Sequence, residues 1–167
     1  MIINVFEAQN AAGTLRTFHF ITSTKELALD DDQPGVNTPV SVSGTVMANG
    51  SGLEISGVIE TIGAYQCDRC LENYTVPLKI PFAETYREGD KAEADTSDSS
   101  YFQGDEIDIS ELVRESILLA QPLKKLCSEN CKGLCPQCGT NLNLAKCTCE
   151  RSVIDPRLAA LQQLLPK

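Results

Sequence analysis

The reactive side chains of this sequence are its thiols, and they are clustered. Of eight cysteines, six crowd into residues 127–149, as Cys127, Cys131, Cys135, Cys138, Cys147 and Cys149. The other two form Cys67-Asp68-Arg69-Cys70 upstream. Cys135-Pro136-Gln137-Cys138-Gly139 has the spacing of a zinc knuckle. Thiolates three positions apart can face one ion from a tight turn, which the proline starts and the glycine closes in the left-handed conformation. The nearest candidate for the other half of a tetrahedral site is Cys147-Thr148-Cys149. Cys135, Cys138, Cys147 and Cys149 are therefore expected to hold structural Zn2+, closed by an eight-residue loop. Cys67, Cys70, Cys127 and Cys131 are then the candidates for a possible second site tying the upstream region to the tail, so one or two ions are expected. Spacing does not dictate this partition, and two ordinary reduced thiols remain the alternative at Cys67 and Cys70.

Other thiol chemistries fit less well. A catalytic zinc keeps an open position and recruits His or carboxylate, yet the only histidine is His19, distant from every cysteine. Its pattern reads as a partly buried strand histidine. A thioredoxin-like role for Cys67 and Cys70 requires a helix after the motif, and the residues after Cys70 alternate like a strand. Cysteine number alone would also allow an iron–sulfur centre, although the Cys-Pro-x-Cys-Gly turn favours zinc. No nucleotide-binding loop, nucleophile elbow or dinucleotide fingerprint occurs. The expectation is a protein that is not an enzyme and takes no small-molecule substrate.

Composition narrows the setting. At 167 residues and 42% hydrophobic, one domain with a metal-stapled appendage can bury a core, built mainly from Ile, Leu and Val because Trp is absent. The first residues lack the basic and apolar regions of a signal peptide, and no run reaches the ~20 apolar residues of a membrane span. A cytoplasmic protein with reduced thiols is expected, rather than a disulfide framework. The net charge of −9 is unevenly placed: residues 1–110 carry 18 acids and 6 bases, residues 111–167 carry 5 acids and 8 bases. Two four-thiolate zinc sites would bring the whole to about −13. Such a chain is a poor general binder of nucleic-acid phosphate. A basic partner such as a ribosomal protein suits it, as does a purely solubilising role for the charge.

The scaffold around the thiols reads as α+β: a mostly antiparallel β domain with a packed helix over 1–122, then a cysteine-rich zinc-binding tail with a terminal helix over 123–167. Val40, Val42 and Val46 alternate with polar residues, and Asn49-Gly50-Ser51-Gly52 turns the chain into a second strand from Leu53 to about Tyr65. Gly57 and Gly63 mark expected bulges. Tyr74, Val76, Leu78, Ile80 and Phe82 define a third strand, with Pro77 and Pro81 arguing for an edge. Residues 88–107 read as an acidic mobile loop. Asp108 and Glu111 have capping-box spacing before a helix with Ile109, Leu112, Val113, Ile117 and Ala120 on one face, stopped at Gln121-Pro122. Asp155-Pro156 starts the terminal helix, striped by Leu158, Leu161, Leu164 and Leu165. The arrangement of residues 1–38 and the oligomeric state are not legible.

With these residues in view the chain resembles the YceD family of large ribosomal RNA subunit accumulation proteins. The resemblance is carried by Cys67-Asp68-Arg69-Cys70-Leu71-Glu72, the Asp108-to-Gln121 helix and Pro122-Leu123-Lys124-Lys125-Leu126-Cys127. It continues through Cys131 to Gly139, Asn141-Leu142-Asn143 and Asp155-Pro156-Arg157-Leu158. It implies a role in accumulation or processing of 23S ribosomal RNA and large-subunit biogenesis. The expected partners are the large-subunit rRNA precursor, a basic ribosomal protein, or both, with Lys124, Lys125, Lys132 and Arg151 as candidates for RNA phosphate. Alternative readings are a zinc-bearing adaptor unrelated to ribosomes and a thiol redox protein using Cys67 and Cys70.

Overall fold

The computed structural model describes residues 1–10, 13, 15–23, 26–27, 29, 39–49, 52–89 and 100–149. In chain order the elements are β1 (Ile2–Asn4), α1 (Phe6–Asn10), β2 (Arg16–Thr22), β3 (Val40–Asn49), β4 (Gly52–Gln66), β5 (Asn73–Glu88), β6 (Ser100–Phe102), β7 (Glu106–Asp108) and α2 (Ser110–Leu119). The expected terminal helix and Arg151 lie outside the described residues, as do residues 90–99 of the expected acidic loop.

The valine alternation does form a strand, with Val40, Val42 and Val46 of β3 buried. Asn49 pairs with Gly52, so β3 and β4 are antiparallel neighbours up to the ends expected to flank the turn. The main sheet has the order β2-β3-β4-β5-β6, antiparallel except for a short parallel pairing of β5 with β6; β1 and β7 form a second, two-stranded antiparallel sheet. One face of the main sheet packs into the core. Ile55 and Ile59 of β4 and Ile80 and Phe82 of β5 meet Val5 and Ala8 from the α1 side, Ile107, and Ile109, Val113 and Ile117 of the α2 segment. Each fully buried aliphatic side chain contributes about 1.5–3 kcal/mol.

Four local expectations change. Gly57 and Gly63 are not bulges, since the β4 ladders keep constant register through both. A Cβ on Gly57 would lie 2.8 Å from the Phe82 ring, and one on Gly63 would lie 2.6 Å from the Tyr65 ring. Each glycine is a place where an aromatic ring lies across the backbone. Secondly, the segment expected as a loop is ordered at its end: residues 100–102 add to β5 and residues 106–108 pair with β1. Apolar Phe102 and Ile107, both buried, outweigh the surrounding charge. Thirdly, no reciprocal capping box forms. Asp108 accepts the Ser110 amide at 2.9 Å, while Glu111 instead pairs with Arg114 at 3.1 Å. Finally, His19 is in a strand but exposed, with Nε2 3.1 Å from Ser41 Oγ.

The strands that carry the chemistry are the longest two. β4 and β5 pair from Leu53–Tyr86 to Gln66–Asn73, whereas the β3 ladder reaches only Glu60. Their ends therefore run on past β3 as a two-stranded arm, and the turn at its tip is residues 67–72. Pro77 and Pro81 leave the β4 ladder unbroken, and among the described residues β5 has a second neighbour only at Tyr86–Glu88, consistent with an edge.

Candidate metal centre

The tip of the arm is a knuckle. Leu71 donates its amide to the Cys67 carbonyl at 2.9 Å, and the Cys67 amide donates to the Glu72 carbonyl at 2.9 Å. Cys135 repeats the same pattern at the same offsets: Gly139 donates to its carbonyl and its own amide donates to the Thr140 carbonyl, both at 2.9 Å. The residue after the second cysteine is left-handed in each, Gly139 at φ 71° and Leu71 at φ 61°. Glycine takes that conformation freely, whereas leucine is strained there by about 1–2 kcal/mol. The first Cys-x-x-Cys has neither the proline nor the glycine of the second. The backbone nevertheless makes the same turn.

The eight sulfurs gather in two groups of four, Cys67, Cys70, Cys127 and Cys131, and Cys135, Cys138, Cys147 and Cys149. Within each group every sulfur lies within 4.8 Å of the others. This grouping of the thiols coincides with the partition drawn from sequence. Cys67 and Cys131 sulfurs are 3.8 Å apart, and those of Cys70 and Cys127 are 3.6 Å apart. A tetrahedron of thiolates at the Zn–S length of about 2.3 Å has edges of about 3.8 Å, and a disulfide needs about 2.05 Å. The spacing thus fits an ion held between the sulfurs and not a covalent bridge. All-sulfur donor sets suit soft or borderline ions such as zinc or iron.

The tail is laid against the knuckle by main-chain bonds. Asp68 donates its amide to the Lys125 carbonyl at 2.7 Å, and its carboxylate accepts the Lys125 amide at 2.8 Å. Arg69 donates to the carbonyls of Cys131 at 2.9 Å and Glu129 at 3.4 Å, while its own carbonyl accepts the Leu134 amide at 3.0 Å. Cys67, Cys70 and Cys131 are buried, with Tyr74 and Leu126 packed against them. The second group is more open: Cys135 is buried, Cys147 and Cys149 are half-buried and Cys138 is exposed.

Without an ion, four close thiols cannot all ionise, and their acidities spread apart. Burial pushes the Cys67 thiol up, but backbone hydrogen bonds from Cys127, Cys70 and Arg69 prevail and lower it to about 6. In the same group the Cys70 and Cys131 sulfurs, followed by burial, raise Cys127 to about 12. The Thr140 hydroxyl and amide lower Cys138 to about 6, while its neighbour Cys149 is raised to about 12, first by the Cys138 sulfur and then by burial. A cation between the sulfurs replaces the shared protons and removes this conflict.

The lysines singled out in the sequence have different surroundings. Lys124 and Lys132 are exposed, whereas Lys125 is half-buried with Nζ 5.8 Å above the Tyr65 ring. Sequence reasoning missed Asp68 and Arg69 as clamps and Asn141 and Asn143 as loop organisers. The signal available was their position, inside one Cys-x-x-Cys and inside the loop of the other group. No helix among the described residues is long and apolar enough to cross a membrane.

Comparison with known proteins gives a consistent family. No solved structure matches significantly. The chain is 30% identical over 156 residues to the chloroplastic large ribosomal RNA subunit accumulation protein YCED homolog 1 of Arabidopsis thaliana, covering 76% of the chain and 49% of that protein. The Zea mays homolog is 31% identical, with 73% of the chain and 52% of that protein covered. The chain thus spans about half the length of these plant relatives. It is also 30% identical over 129 residues to the uncharacterized protein YlbN of Bacillus subtilis, covering 77% of the chain and 75% of that protein. The family described as large ribosomal RNA subunit accumulation protein YceD matches residues 55–165, from near the start of β4 through both thiol groups, and the chain belongs to that family.

Proposed function

We propose that this protein is a non-enzymatic ribosome-biogenesis factor, supporting accumulation and processing of 23S ribosomal RNA and assembly of the large subunit in the cytoplasm. The observation that carries this reading is the family match over residues 55–165, which takes in the arm, α2 and all eight thiols. In this reading each thiol group holds one structural Zn2+. All four positions are filled by cysteine, so neither site offers the open coordination position of a catalytic ion. The partners are the large-subunit rRNA precursor, a basic ribosomal protein, or both. Exposed Lys124 and Lys132 suit phosphate better than Lys125, whose ammonium rests on Tyr65, while Arg151 extends the set in sequence. The acidic 88–107 segment suits the basic protein.

Depletion of the protein in its own cells, followed by quantification of 23S against 16S RNA and of pre-50S particles, tests the reading. A selective loss of 23S RNA, restored by the wild-type chain, is expected, together with co-sedimentation of the protein with pre-50S particles. Unchanged 23S levels with no ribosomal association would favour an adaptor working elsewhere.

A further inference from the structure

Between Cys138 and Cys147 lies the loop that closes the second thiol group, and within it the Asn141-Leu142-Asn143 segment turns toward the first. The backbone amide of Lys132 can only donate, so the Asn143 atom 2.8 Å from it is the carbonyl Oδ1. That orientation aims the Asn143 NH2 at the Cys131 sulfur, 3.3 Å away, and at Asn141 Oδ1, 2.9 Å away. Asn141 Oδ1 also accepts the Asn143 amide at 3.0 Å, and its Nδ2 reaches Glu72 Oε1 at 3.4 Å, beside the first knuckle. The Leu142 amide donates to the Gly133 carbonyl at 2.9 Å, and Leu134 bridges Asn141. A loop whose ends belong to one group thus delivers a hydrogen bond to a sulfur of the other.

We infer that Asn143 is a positioning residue for the first metal site and that, through it, occupancy of the second site controls how tightly the first holds its ion. Metal at Cys135, Cys138, Cys147 and Cys149 ties the two ends of the loop together. The loop then holds the amide N–H on the Cys131 thiolate, where it stabilises the charged, metal-binding form. Loss of such an outer partner lowers metal affinity by about 10- to 100-fold. The coupling is reciprocal for binding, so the first site also favours the second.

The inference rests on both groups holding metal, and the full chain loaded with cadmium tests the two ideas separately. Two cadmium resonances by 113Cd NMR establish occupancy, and a chain that takes up no metal overturns the metal reading itself. In Cys147→Ser/Cys149→Ser, release of the remaining cadmium to a chelator should quicken by about tenfold or more. Asn143→Asp keeps an oxygen for the Lys132 amide but loses the N–H donor. It should shift the first-site resonance and quicken release from that site while the second resonance stays in place. Combining the substitutions should give little beyond the larger single effect, as expected for groups acting through one contact. Asn143→Ala checks the result without the added charge. Independent release from the first site when the second is removed overturns the coupling, and an unshifted first-site resonance in both Asn143 variants overturns the positioning role.

Discussion

The two thiol groups share a knuckle but differ in what surrounds it. The first joins residues 67–70 to residues 127–131, bringing together sulfurs up to 64 positions apart in sequence. Asp68 and Arg69 bind the tail through main-chain partners, and three of its four cysteines are buried. The second lies wholly within residues 135–149, and only Cys135 is buried. Two near-identical turns therefore serve different ends. One fastens a tail to a folded sheet, and the other organises a short loop that has little apolar core of its own. A local metal loop draws its folding energy mostly from the ion, whereas a site already framed by hydrogen bonds is partly assembled before the ion arrives.

The largest expected effect comes from breaking the first group. Cys131→Ser should remove one ion per chain by elemental analysis and free the tail from the arm, exposing residues 120–134 to limited proteolysis. The loss should be several kcal/mol, a fraction of the about 10–16 kcal/mol that structural zinc supplies in small metal-dependent domains. Retention of two ions and a protected tail would erase the distinction between the groups.

Cys135→Ser/Cys138→Ser should do less to the whole. One ion is lost and the loop is cleaved readily, yet the sheet and α2 keep a cooperative thermal transition, because the apolar faces in that core lie outside the loop. Collapse of the entire transition would show that the tail belongs to the main core and would move the domain boundary proposed near residue 122.

Both groups should respond to acidity. Metal binds thiolates, so stabilisation by metal is present at neutral pH and lost as pH falls. Cys127 and Cys149, at about 12 without metal, are protonated at pH 7 and must release protons on binding. Below about 6 the metal-free forms of Cys67 and Cys138 are protonated as well, so each site should lose affinity more steeply there. Calorimetric titration of apoprotein in buffers of different ionisation enthalpy reads the proton count. A count near zero at pH 7 would contradict these acidities.

The smallest effect concerns the knuckles themselves. Leu71 is 56% exposed and left-handed, in the place where the second knuckle has Gly139. Leu71→Gly should relieve about 1–2 kcal/mol of backbone strain against an entropic cost of about 0.5–1 kcal/mol. A net change between about zero and a gain of about 1.5 kcal/mol in thermal or chemical unfolding is expected. A clear loss would mean that the exposed leucine side chain contributes a contact of its own.

The local features of this protein are legible in its residues. Alternating valines, the apolar face of α2 and the knuckle at Cys135 each follow from neighbouring residues, because period and φ preference act over a few positions. The all-thiol character of the candidate sites was equally legible. Local spacing left open which distant cysteines meet, and could not reveal that Cys67-Asp-Arg-Cys70 turns like a zinc knuckle without its glycine. The structure decided both: β4 and β5 outrun β3, so their turn stands at the end of an arm where the tail returns from α2. It also set residues 100–102 and 106–108 into strands and Asn143 against Cys131. Those outcomes depend on strand length, register and long-range hydrogen bonds, quantities that only the assembled chain specifies.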